Sequence, residues 1–317
     1  MQFDKIRALF FSNERGEKYN VGNLHFENTL ASRFKTYHTY GLGHEHYNEL
    51  IDLKDIMKFL FKPDVIFFML PGSCFEKENY LTKFDYSVLK IPKILYDTDP
   101  QRHIKSRCDF INRNQIDYLF LGNSYKFNKE HESLIDVPCK VVWLPFGVDM
   151  SFFTDCLGRR MEDVLFLGNT RLDYYPDRSH MIGTMRRVFG EKFFHCGDND
   201  KVKLISYVSL LNNYKVFAAA GDLTGGFFMK NLEAMACGCL LISQYTPCFD
   251  RLGFVSGKHL LLWKTFRELV DLTEYYLEND AARKEIAFEG RDFVLNNHTW
   301  DHRVDTLLNV IKEKKEG

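Results

Sequence analysis

No stretch of this chain stays apolar for the roughly 18 residues that a bilayer-crossing helix needs. Met1 to Arg7 mixes charged and apolar residues and lacks the apolar centre of a secretory leader. Charge of one sign is also missing: 42 Lys and Arg stand against 43 Asp and Glu, a formal net charge of −1. That balance gives no broad basic footprint, so a nucleic-acid partner is not indicated by charge. The eight cysteines include no Cys-x-x-Cys pair and no His/Cys spacing of a metal site. They read as reduced thiols, mostly core, of a cytoplasmic protein. Internal repeats beyond two similar halves, and low-complexity tracts, are absent.

What is present is enough apolar residue for two cores. The chain has 317 residues, 45% of them hydrophobic, with 29 Phe and 16 Tyr. At roughly 150 residues per domain two domains are expected. Short apolar runs alternate with loops and helical patterns, the sign of parallel α/β units. The predicted strands of the first half are Ile6 to Ser12, Thr36 to Tyr40, Val65 to Leu70, Ile91 to Tyr96, Asp117 to Leu121 and Lys140 to Leu144. Helices are predicted over Leu24 to Ser32 and Asn48 to Phe61. The second half offers strands at Asp163 to Leu167, Lys192 to Cys196, Val216 to Ala220, Cys239 to Ile242 and Leu260 to Trp263. Its helices are Leu204 to Lys215, Arg267 to Glu278, Asp280 to Asn296 and Thr299 to Lys312. The strand at Ile91 runs into Asp97-Thr98-Asp99-Pro100 and then His103. Open α/β sheets bind ligands at the carboxyl ends of their strands, so Asp97, Asp99 and His103 are candidates for ligand binding or proton handling. The plainer alternative is that Asp99-Pro100 starts a helix as cap and first-turn proline.

The most informative stretch runs from Gly225 to Ser243. Gly225 and Gly226 open a turn, a helix follows over Phe228 to Cys237, Gly238 sits where a left-handed residue would end it, and a buried strand comes next. A glycine-led helix start presents backbone N–H groups and partial positive charge, which suit a phosphate. Lys230, in the first turn, opposes the helix dipole and makes sense if an anion docks there. Glu233, one turn on along the same face, suits the vicinal hydroxyls of a ribose. Gly225, Gly226, Phe227, Phe228, Met229, Lys230 and Glu233 therefore form a predicted diphosphate and ribose site on one short helix.

This stretch resembles the nucleotide-sugar helix of group 1 glycosyltransferases of the two-Rossmann type, GT-B, and within them the branch of spore-maturation-type proteins. Many members carry Glu-x7-Glu before Ala-Met-Ala-x-Gly. Glu233 matches the second Glu; the first falls at Gly225, so the usual carboxylate near the donor sugar is missing. Leu144-Pro145-Phe146-Gly147-Val148-Asp149 resembles the segment that closes the first domain, and His298-Thr299-Trp300 the start of a last helix that returns to it.

The resemblance implies an α/β fold of two Rossmann-like domains facing each other across a cleft: residues 1–150 on the acceptor side, residues 151–317 binding the nucleotide sugar. It places the loop of Gly22 at the cleft, Arg171 and Arg178 near the donor diphosphate, and Gly197 beside the base. Gly22 also reads as a simple βα turn, and either arginine as a solvated surface charge. The implied activity is a glycosyltransferase that moves a hexose or pentose from a nucleotide sugar to a glycan or lipid-linked glycan, with retention. Asp99, His103 and Lys230 are its catalytic candidates, with no metal and no cofactor. Because Gly225 replaces a Glu, a GT-B-like protein that binds without transfer stays open, as does an epimerase-type enzyme.

Overall fold

The computed structural model describes residues 3–12, 22–42, 44, 47–48, 51–59, 62–69, 75, 81–98, 103–122, 137–172, 175–197, 204–221 and 225–313. The described chain divides into two units. One holds residues 23–145 together with the first strand and the end of the last helix; the other holds residues 146–302.

The first unit contains β1 (Arg7–Phe11), α1 (Gly22–Ala31), β2 (Thr36–Tyr40), α2 (Leu53–Phe59), β3 (Val65–Phe68), β4 (Lys93–Asp97), α3 (Ile104–Asn114), β5 (Tyr118–Leu121) and β6 (Lys140–Trp143). All six strands are parallel, in the order β2-β1-β3-β4-β5-β6. The order reverses between β1 and β3, which makes a crevice outside their carboxyl ends. β3 is buried along its whole length, as a continuous apolar run in a two-sided sheet should be, and β4 is buried too, with Lys93 and Asp97 at its ends. Phe10 stacks on Phe67 at 5.0 Å and Phe11 on Phe68 at 5.5 Å, register partners across β1 and β3. Such aromatic pairs add about 0.5–1.5 kcal/mol to burial alone. The helix predicted from Asn48 begins later, at Leu53. Asp52 accepts the Asp55 N–H at 2.9 Å through its carboxylate and so starts the helix at that point.

The second unit contains β7 (Glu162–Leu167), α4 (Pro176–Phe189), β8 (Phe193–Cys196), α5 (Leu204–Asn213), β9 (Tyr214–Ala219), α6 (Met229–Ala236), β10 (Leu240–Gln244), α7 (Pro247–Arg251), β11 (Leu261–Trp263), α8 (Phe266–Glu278), α9 (Asp280–Asn297) and α10 (Trp300–Glu313), whose later turns group with the first unit. The sheet is parallel, in the order β11-β10-β9-β7-β8, with its reversal between β7 and β9. The predicted helix to Lys215 stops at Asn213, because Tyr214 pairs with Glu162 and begins β9. Trp300 is buried, and its N–H bonds to the Val148 carbonyl at 3.2 Å. At the start of α8, Thr265 and Glu268 form a reciprocal cap, worth about 1 kcal/mol.

α6 ends as the sequence suggests. Gly238 has φ +80; its N–H bonds to Met235 O at 2.9 Å and that of Cys239 to Ala234 O at 3.0 Å. These are the paired bonds of a left-handed helix stop. Arg160 closes the same end. It donates to Cys237 O, to Leu211 O at 2.7 Å and to Tyr214 O at 2.8 Å, and pairs with Asp155 at 3.3 Å.

Candidate functional site

The reversal between β7 and β9 sets the site in the second unit. β7 ends at Leu167 and the chain continues through Gly168 and Asn169. β9 ends at Ala219, and its loop leads into α6. The N-cap of α6, Phe228, is extended and gives no side-chain cap. The first turn contains no acid, so no side chain within that turn balances the dipole.

Two cations converge on this edge. Lys230 is half-buried, and its Nζ donates to Leu167 O at 3.1 Å. Arg178, on α4, is buried to 7% exposure, and its Nη1 donates to Asn169 O at 2.9 Å. Both meet at Gly168: a Cβ there would lie 3.4 Å from Lys230 Nζ and 3.5 Å from Arg178 Nη1. Rings hold the guanidinium in place, with Tyr175 at 3.8 Å, Phe228 at 5.3 Å and Phe166 at 5.4 Å. His195, near the end of β8, stacks on Phe166 at 5.6 Å, and its Nε2 lies 3.0 Å from Gly168 O. Gly197 follows, its Cβ position 3.7 Å from the His195 ring and 4.0 Å from Gly168 O. Arg171 is exposed on the loop after β7, where its N–H bonds to Asn169 Oδ1 at 2.9 Å.

Glu233 is 5% exposed. Its Oε2 accepts the Tyr207 hydroxyl at 2.6 Å. Burial, and then the adjacent Glu233 carboxylate, push the Tyr207 hydroxyl well above its ordinary range, so it stays a donor. Gly225 has φ +61, and a Cβ there would meet nothing within 4 Å. The space would admit a side chain, whereas the left-handed backbone disfavours one. Gly226 is buried. Phe227 is fully buried, packed on Phe249 at 5.3 Å and Phe254 at 6.1 Å, so its ring serves the core and only its backbone faces the loop. Thr246, at the start of α7, is buried, and its hydroxyl has no hydrogen-bond partner among the described residues.

Residues 152–309 match the family whose description is glycosyl transferase-like. Sucrose-phosphate synthase from Thermosynechococcus elongatus is similar in structure over 98% of this chain and 100% of its own, with 11% identity and a TM-score of 0.62. Anabaena Alr3699/HepE, solved in complex with UDP-glucose, is similar over 97% of this chain and 100% of its own, with 10% identity and a TM-score of 0.65. No curated protein matches in sequence. The shared fold is GT-B, two parallel-stranded α/β units.

Within the second unit the structure joins Lys230, Arg178 and Gly197 around Gly168, sets Glu233 one turn deeper, and leaves Arg171 on the surface. Sequence reasoning missed Asn169, His195, Tyr207 and Thr246. His195 carried one signal, a polar residue near the carboxyl end of an apolar strand; Tyr207 carried none.

In the first unit, Asp99 lies outside the described residues. His103 is half-buried at the N-cap of α3 with φ 54 and forms no side-chain cap. Gly22 is the first residue of α1. Asp97 is fully buried and paired with Arg107 through Nε and, at 3.2 Å, through Nη2. It anchors the start of α3 to the sheet. A polar cluster that went unread sits at the carboxyl end of β1: Ser12 Oγ donates to Glu27 at 2.9 Å, and His44 Nε2 lies 3.5 Å from the same hydroxyl.

Proposed function

We propose that the protein transfers a hexose or pentose from a nucleoside diphosphate sugar to an acceptor, a glycan or lipid-linked glycan, with retention and without a metal. The observation that carries this reading is the convergence of Lys230 and Arg178 at Gly168, beside the uncapped start of α6. When the bond from the anomeric carbon to the β-phosphate oxygen breaks, negative charge grows on that phosphate. Two fixed cations and the first N–H groups of α6 stabilise that charge more in the transition state than in the ground state. Charge-assisted contacts to phosphate are the strong ones, and here they supply the role a divalent ion plays elsewhere.

In this reading the backbone from Gly225 to Met229 lines the diphosphate, Glu233 takes the ribose hydroxyls, Gly197 faces the base and Arg171 guides the donor from the surface. Asp99 and His103 handle the acceptor proton in the first unit, and the reaction belongs to the cytoplasm. The run Glu233-Ala-Met-Ala-Cys-Gly238 supports a place in the spore-maturation-type branch.

Gly225 favours a second reading, binding of the nucleotide sugar without transfer. A panel of nucleoside diphosphate sugars separates the two. Slow release of free sugar from one donor, faster with an acceptor, supports transfer. Tight binding with no release under any acceptor supports the second reading, and absence of binding to every donor refutes both.

A further inference from the structure

At the other end of α6, on the amino edge of the same sheet, lies a cavity of about 800 Å³. Its walls come from the strap of residues 155–161, from Leu277 on α8 and from α9, with Lys215 and Gly238 among its lining residues. Arg159, Arg160, Lys215, Arg283, Lys284 and Arg291 line it, against Asp155 and Asp280. Several of these charges have structural work. Arg160 holds the end of α6, Lys215 pairs with Asp163 at 2.5 Å, and Arg291 Nε donates to Ala236 O at 3.3 Å. The remainder are out of balance. Asp280 is shared by Arg283 and, at 2.6 Å, by Lys284. Arg283 is 3% exposed, and its Nε is buried with no hydrogen-bond partner among the described residues. A buried guanidinium N–H without an acceptor costs free energy that an incoming anion recovers.

The rim is apolar. Leu157 is 86% exposed, Phe288 65% and Met161 62%, and all three line this one cavity. Phe288 lies between Lys284 and Arg291 on one face of α9, at spacings of four and three residues. Leu157 has φ 54 and its N–H is fixed by Asp155 Oδ1 at 2.9 Å, so its side chain is held out at some backbone cost. Exposed apolar tips set among cations, over a cavity with an unsatisfied donor, are the pattern of an interfacial membrane contact.

We propose that this face docks on a bilayer surface that carries anionic phospholipid. The lipid phosphate enters the cavity against Arg283 and Lys284, and Leu157, Met161 and Phe288 enter the acyl boundary. None of these residues belongs to the cluster at Gly168, so the inference stands apart from the proposed transfer.

The test is sedimentation of the full chain with phosphatidylcholine vesicles, with and without phosphatidylglycerol. Phosphatidylglycerol raises binding at least about tenfold, salt weakens it, and the bound vesicles slow alkylation of Cys156, an exposed thiol beside Leu157. Arg159→Glu with Lys284→Glu removes the preference for phosphatidylglycerol. Phe288→Ser lowers partition by roughly tenfold. These side chains are exposed, so the variants keep their melting temperature and nucleotide affinity. Absence of vesicle binding, equal binding to both vesicles, or binding unchanged in both variants overturns the proposal. So does protection of Cys156 by inorganic phosphate or an acidic peptide without vesicle binding.

Discussion

Replacing Lys230 by Met tests the charge assigned to the start of α6 while keeping most of the stem. In the structure Lys230 Nζ donates to Leu167 O at 3.1 Å and shares the space at Gly168 with the Arg178 guanidinium. Without ligand the loss of that neutral-acceptor bond costs about 1 kcal/mol, and relief of repulsion from Arg178 offsets part of it. With a diphosphate bound the loss is larger. A hydrogen bond to a charged group contributes about 1.5–3 kcal/mol, a factor of roughly 10 to 150 in affinity. The assay is titration calorimetry with a nucleoside, its monophosphate and its diphosphate, on wild type and Lys230→Met. The affinity for the diphosphate falls by that factor, the nucleoside is unaffected, and the melting temperature of the free protein scarcely moves. Equal losses for nucleoside and diphosphate, or no loss for either, refute the assignment.

Three further outcomes follow from other contacts. Glu233→Gln weakens nucleoside binding at least about tenfold, whereas Tyr207→Phe costs about 1 kcal/mol of stability and little affinity; isothermal binding and thermal melting read both. Gly238→Ala puts a Cβ into Asp155 and 2.7 Å from Arg160 Nη2, on a backbone at φ +80. The left-handed conformation alone costs about 1–2 kcal/mol, so the unfolding midpoint in urea drops by at least that equivalent. His259 is buried on Phe293 at 4.2 Å and accepts the Val255 N–H at 3.2 Å. Desolvation, followed by the neighbouring Lys258 charge, lowers its pKa in the folded state below 6.5. The unfolded chain therefore binds the extra proton first, and the stability that His259 contributes is lost as pH falls below about 6.5. Urea midpoints from pH 7 to 5 follow that sense, and His259→Gln flattens them.

The strands were readable because buried parallel strands carry unbroken apolar runs, as in Val65–Phe68 and the Leu-Leu-Ile start of β10. The start of α6 was readable because Gly225, Lys230, Glu233 and Gly238 each break a local rule or satisfy one. The helices α3 and α4 were not read. The buried face of α3 includes Arg107 and Asn114, and that of α4 includes Arg178, so neither shows a clean apolar stripe. For α4 the miss concealed most of the site's geometry. Arg178 was a candidate from its position after β7, but its approach to Lys230, 52 residues further on, depends on its guanidinium lying over the Phe166 and Tyr175 rings. Asp97 misled for a related reason: a carboxylate at a strand end looks alike whether it faces solvent or a buried arginine.

The bend at Gly225 bears on redesign. Reinstating the acid by a single exchange would load a chiral side chain onto a mirror-image backbone, and the loop would relax away from the position the acid was meant to occupy. Installing an acid there calls for reshaping the backbone at Gly225 as well as changing its side chain, so at this position conformation and chemistry are set together.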